Sequence, residues 1–353
     1  MHTPFQPTSA TAPAAAAPET LAAALARRER GLTLGLALAV TPVLILIFFL
    51  KFAADVSGPI VQRVDVPPML TSYDNYWWHA NQHPAMTARF AGNYSVYYLA
   101  KGIERITGIP ADPRLHPIRL AAAIASIFWL WVGALPVLLD RSGRWDWRTF
   151  YAAFLGASCV ALFAYTPYDL PSLAFTSLGL WAVIHRRPAW ALLWILLGNP
   201  FRESLLHVVF FAGCTLLIPR LRMSLAWIAA LTVAFFAEWY LIRRFYPVPS
   251  AFTIKIFGDL LSPTLWASVG LCLWFAGQAG LSIARRVAAG GWSPLDRFFT
   301  LQILALLPWL LFYKLNNGNL AEFRMLLPVV LPLMFALAYR GEPAGSMSRE
   351  PGN

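Results

Sequence analysis

Charge is scarce in this chain. Only 13% of its 353 residues are Asp, Glu, Lys or Arg, against about a quarter in an ordinary soluble domain. With 58% hydrophobic residues, the sequence lacks the polar groups needed to cover its own surface, so lipid must be part of its solvent. Cysteine is scarce too. Cys159, Cys214 and Cys272 each sit in an apolar segment with neither disulfide nor metal spacing, which excludes a disulfide scaffold and a zinc ribbon. Phosphate-cradling glycine motifs are missing: neither GxGxxG nor GxxxxGK[ST] stands in a strand-to-helix setting. No internal repeat is visible, which argues against a transporter built from two related halves. The net charge of +11 comes as short clusters between apolar segments and not as one basic stripe. That excludes nucleic acid as a partner and matches the positive-inside rule.

What is present is a series of long apolar segments. A crossing takes roughly 20 apolar residues, and 32–50 contains no charge before Lys51. Further segments fall at 118–139, 149–165, 170–185, 188–200, 203–219, 224–242, 261–283, 297–313 and 321–339. The fold expected is all-α: a polytopic integral membrane helix bundle of about ten spans. Segments 170–185 and 188–200 are short. They read as two full crossings, because His185, Arg186 and Arg187 lie between them and two arginines at mid-bilayer are costly.

Arginine clusters at 27–30, 141–148, 186–187, 220–222, 285–297 and 340 mark one side as cytoplasmic. Both termini are then inside. Residues 1–30 read as a disordered cytoplasmic tail, rich in Ala, Pro and Thr, and not as a signal peptide, because the basic cluster comes late and a full-length span follows it. Residues 31–340 form the membrane domain, 51–117 its first outer loop, and 341–353 a second disordered tail. Within the outer loop, 86–107 reads as an interfacial helix, with Phe90, Tyr94 and Tyr97 on one face and Lys101, Glu104 and Arg105 offering a polar one.

The other side carries the residues suited to chemistry: Asp74, Asp169, Arg202, Glu203, Arg243, Arg244, Lys255, Asn317, Glu322 and Arg324. Charges at a membrane face are costly unless used, so this one-sidedness points to one polar site. Asp74, beside Tyr73, Tyr76, Trp77 and Trp78, sits at headgroup depth as a candidate general base; a solvated loop acid is the plainer reading. His79 and His83, one helical turn apart, are candidate metal ligands with Asp74 as third donor. Hydrogen bonds to backbone or headgroups explain them as well, and no cofactor is expected. Asp169 lies between Pro167 and Pro171 as a helix cap or a rigidly held carboxylate.

Arg202 and Glu203 adjoin a long apolar run. They read as an anion clamp and its orienter, or as a surface ion pair. Arg243, Arg244 and Lys255 run against the topology bias and suit a lipid phosphate, with snorkelling as the alternative. Glu322 and Arg324 enter the last span behind Asn317, whose amide suits sugar hydroxyls.

The loop around Asp74, the Tyr168-Asp169 turn, Arg202-Glu203 and Glu322-Phe323-Arg324 together resemble the GT-C class of polytopic glycosyltransferases. The resemblance is one of architecture, over residues 31–340. It departs in that Asp55 holds the position where the class often has its acid, without a neighbouring acid. It implies transfer of a sugar from a polyprenyl-phosphate carrier to an acceptor hydroxyl at the outer face of the membrane, and the high content of Ala, Arg and Trp points separately to a bacterial source, hence to an inner membrane. On that reading Asp74, Asp169 and Glu203 are catalytic. Arg202, Arg243, Arg244, Lys255, Asn317, Glu322 and Arg324 bind substrate. The competing expectations are a transporter or flippase for an anionic lipid-linked molecule, and a non-catalytic membrane assembly subunit.

Overall fold

The computed structural model describes residues 21–47, 88–108, 117–162, 166–246, 262–315 and 323–341. Among them there is no strand, only an isolated antiparallel bridge between Trp145 and Tyr339. Eleven α-helices follow one another: α1 (Leu21–Ile47), α2 (Phe90–Thr107), α3 (Pro117–Leu138), α4 (Trp147–Leu162), α5 (Asp169–Ile184), α6 (Pro188–Gly198), α7 (Leu206–Cys214), α8 (Leu225–Phe245), α9 (Pro263–Gly290), α10 (Pro294–Leu315) and α11 (Phe323–Ala338). Five stretches are long and apolar enough to cross a membrane: Arg28–Ile47, Pro117–Leu138, Leu225–Phe245, Pro263–Gly290 and Pro294–Lys314. Asp169–Ile184, Pro188–Gly198, Glu203–Leu217 and Phe323–Ala338 are shorter apolar helical stretches. These features suggest a membrane protein.

The chain divides into two compact units at Leu44/Ile45. The first contributes most of α1. This helix is already formed at Leu21, ten residues before the end of the stretch read as a tail. The reason is local: Leu21–Arg30 reads LAAALARRER, and Ala, Leu and Arg are the strongest helix formers. Leu32, Leu36, Val40 and Val43 are exposed along it, as suits a helix whose solvent is lipid.

In the second unit, α5 and α11 are the most enclosed helices. All of α5 but Leu178 and Trp181 is buried, and all of α11 but Arg324, Met325 and Leu337. Helix α5 packs against α3, α6, α7 and α11, and α11 against α4, α9 and α10. Helices apolar all round belong in such positions. Phe335 of α11 meets Phe150 of α4 edge-on at 4.7 Å, and edge-to-face is the preferred geometry for such pairs. By contrast α8 is peripheral, with Val233, Phe236, Tyr240, Leu241 and Phe245 exposed. Contiguous apolar exposure on this scale would be untenable in water.

Two glycines set how closely the elements approach. A Cβ on Gly92 would lie 2.8 Å from the Cβ of Tyr168 and 2.9 Å from the carbonyl oxygen of Pro167. A Cβ on Gly198 would lie 2.8 Å from the Cβ of Phe175 and 2.9 Å from the Leu205 side chain. The start of α2 can therefore press onto the turn before α5. The amide of Ala91 donates to the carbonyl of Pro200 at 3.3 Å, which ties the same point to the turn after α6. Three turns converge there, and the start of α11 joins them through Arg324.

Candidate functional site

The convergence assembles two carboxylates, each between two guanidiniums. Asp169 opens α5 and is 5% exposed. Its Oδ1 accepts from Nη1 of Arg202. Its Oδ2 accepts from Nη1 of Arg324 at 3.0 Å, and the same nitrogen donates to Oγ1 of Thr166 at 2.9 Å. Glu203 accepts at Oε1 from Arg243 of α8. Its Oε2 accepts from Nε and Nη2 of Arg89, both at 3.3 Å. Arg89 also stands 4.8 Å from the ring centre of Tyr168, a cation–π contact. Burial pulls the Arg89 pKa down, but Glu203, Tyr168 and Asp169 outweigh it and leave it above the ordinary arginine value.

The local backbone explains why adjacent residues have different partners. Arg202 is extended, with φ −171° and ψ 149°, and successive side chains of an extended chain point to opposite sides. Arg202 therefore turns to Asp169, and Glu203 to Arg89 and Arg243. The orienter of Arg202 is Asp169 rather than its neighbour Glu203.

The six side chains sum to a formal charge of +2, four guanidiniums against two carboxylates. Breaking a buried pair by removing one partner leaves an uncompensated charge, at a cost of roughly 3–5 kcal/mol. That holds for Asp169, whose side chain is 5% exposed; Glu203, 27% exposed, is partly solvated and its pairs are weaker. Arg243 is the most open of the four, with a side chain 28% exposed. It is the guanidinium an arriving anion reaches first, and guanidinium matches phosphate and carboxylate bidentately.

Around this core lie further polar groups. Asn199 donates from Nδ2 to Glu238 at 3.2 Å. The hydroxyls of Ser172 and Ser204 meet in a hydrogen bond. His207, 2% exposed, donates from Nδ1 to the Ser204 carbonyl at 2.8 Å and stacks on Trp309 at 4.2 Å. Its Nε2 is buried without a partner.

Of the residues singled out from the sequence, Asp169, Arg202, Glu203, Arg243 and Arg324 come together. Arg244 is exposed on α8 and carries no ion pair with a described residue. Asp74, His79, His83, Lys255, Asn317 and Glu322 lie outside the described residues, as does Asp55. No group of three or more His, Cys, Asp or Glu suited to a metal occurs among the described residues. The sequence reading passed over Arg89 and His207. Arg89 lay in an outer loop already rich in polar residues. His207, in contrast, was legible as the only histidine inside the apolar stretch 203–219. Compared with protein-family models, curated proteins and solved structures, the chain matches none.

Proposed function

We propose that the protein is a polytopic membrane glycosyltransferase of the GT-C type. It moves a sugar from a polyprenyl-phosphate carrier to an acceptor hydroxyl at the outer face of a bacterial inner membrane. One observation carries this reading: two carboxylates, each held between two guanidiniums, at one end of an apolar helix bundle. Such a site suits a ligand with an anionic head and a long apolar tail.

In the reaction proposed, the bond between the sugar's anomeric carbon and the carrier phosphate breaks, and its electron pair stays on the phosphate oxygen. Arginines placed in advance stabilise that charge as it develops. The acceptor oxygen bonds to the anomeric carbon and gives its proton to a carboxylate. Asp169 and Glu203 are poor choices for that base, because two guanidiniums apiece hold them ionised and occupied. They act here as positioning residues for the arginines. Asp74 is proposed as the base, Lys255 as a further phosphate contact, and Asn317 and Glu322 as sugar-binding residues; all four lie outside the described residues.

The test uses purified protein in lipid and radiolabelled polyprenyl-phosphate sugars. The parent is expected to transfer label to an acceptor, Asp74→Asn to abolish transfer, and Asp169→Asn to reduce it. Transfer that survives both substitutions would overturn the assignment. Carrier movement across the bilayer without transfer would favour a flippase.

A further inference from the structure

A second feature lies at the opposite end of α5, independent of the reading above. There a cleft of about 450 Å³ opens between α3, α5 and α6. Its walls are apolar and aromatic, with Leu135, Leu178, Trp190 and Trp194 among them. Its mouth holds Arg141, His185 and Arg187, with Asp140 the one carboxylate in the lining. We infer that this cleft binds an anionic glycerophospholipid, acyl chains between α3 and α6 and phosphate on Arg141 and Arg187.

Three observations carry the inference. First, the cleft is bordered by apolar side chains that a water-facing pocket would not leave bare: Leu135 is 43% exposed, Leu139 63% and Trp190 49%. Trp190 and Trp194 stack at 5.7 Å and 25°, giving a flat indole wall of the kind found at lipid interfaces. Second, the charge at the mouth is complementary to a phosphate diester. Asp140 turns its Oδ2 to the amide and hydroxyl of Ser142, at 3.0 and 2.6 Å, and is engaged within its own turn. Arg141 and Arg187 are both exposed. Basic pockets between membrane helices are the usual means of holding anionic headgroups. Third, the mouth is built firmly. His185 donates from Nδ1 to the Trp181 carbonyl at 2.9 Å, and its ring packs tilted against that of Trp181, centres 4.0 Å apart. Trp181 in turn abuts Trp145 at 5.5 Å.

The experiment is native mass spectrometry of the full-length protein released from detergent. It is titrated with phosphatidylglycerol or with phosphatidylcholine of the same acyl chains. One phosphatidylglycerol is expected to stay bound at concentrations where phosphatidylcholine does not. The double variant Arg141→Gln/Arg187→Gln is expected to weaken that retention at least about tenfold, as two lipid-facing cations should. Leu178→Trp, which fills the cleft without altering charge, is expected to abolish it. Arg220→Gln/Arg222→Gln removes the same charge elsewhere and is expected to leave it unchanged. Equal retention of the two lipids would overturn the inference. So would equal losses in the two double variants, retention that survives Leu178→Trp, or displacement of the lipid by glycerol phosphate alone.

Discussion

At the C-terminal end of α11, Arg286 makes a clasp. Its Nε donates to Asp296 at 2.8 Å, and its Nη1 donates to Oγ of Ser282 and to the carbonyls of Ala336 and Tyr339 at 2.7, 3.1 and 2.7 Å. Arg340 pairs with Asp146 at 3.2 Å. At the N-terminal end of the same helix, about 22 Å away at 1.5 Å per residue, Arg324 joins the four-arginine cluster. The two ends use the same residue types differently. In the clasp each carboxylate has one arginine, and Arg286 is also spent on helix-end carbonyls that would otherwise lack donors. In the cluster each carboxylate has two, which leaves a formal charge of +2 over the six side chains, whereas the clasp's two arginines and two aspartates balance. One arrangement closes a structure; the other leaves cations in hand.

Substitutions can break or sharpen this contrast. The largest effect is expected from Asp169→Asn, which strands Arg202 and Arg324 and should cost about 3–5 kcal/mol of stability as well as activity. Thermal unfolding in detergent measures the first and sugar transfer the second. Arg286→Met should cost a similar amount, about 3 kcal/mol or more. Here transfer per folded molecule should stay at the parent's level, because the clasp lies far from the cluster. Next comes Gly92→Ala, whose new methyl meets the backbone of the Tyr168 turn. A cost of about 1–3 kcal/mol is expected, with weakened transfer because Arg89 and Tyr168 move apart.

The smallest effect on stability is expected from Asp146→Asn. Burial raises the Asp146 pKa, but the hydrogen bonds from Arg340 and Thr149 outweigh it and hold it below the usual carboxylate value. A lowered folded-state pKa gives stability that is present above the unfolded pKa and lost as pH falls through the folded one. The parent should therefore exceed the variant by about 1 kcal/mol or less at pH 7. The gap should close below the folded pKa, as melts across that range would report.

Much of the fold was legible because apolar length is a strong signal. Each apolar segment read from the sequence has a helical counterpart, and α3 at Pro117–Leu138 matches 118–139 within one residue. The helical state of Leu21–Arg30 was not legible in the same way, because this Ala-rich stretch looked like tail when judged by hydropathy, while helix propensity makes it part of α1. At the site, one-sidedness was enough to gather Asp169, Arg202, Glu203, Arg243 and Arg324. It did not say who pairs with whom. Adjacency suggested Arg202 with Glu203, and the extended backbone at Arg202 reverses that. Arg89 comes from 114 residues away to meet Glu203, and no spacing rule reaches so far.

The central claim is that the four-arginine cluster holds an anionic, lipid-tailed substrate. Its most direct test is equilibrium binding of radiolabelled polyprenyl phosphate to the parent, to Arg243→Gln and to Arg286→Met. Arg243 is partly exposed, so its loss should leave the fold intact within about 1 kcal/mol. The account predicts that Arg243→Gln weakens binding about tenfold or more, as losing a charge-assisted contact of about 1.5–3 kcal/mol would, and that Arg286→Met binds like the parent. Equal affinity in all three proteins, or a loss confined to Arg286→Met, would contradict it.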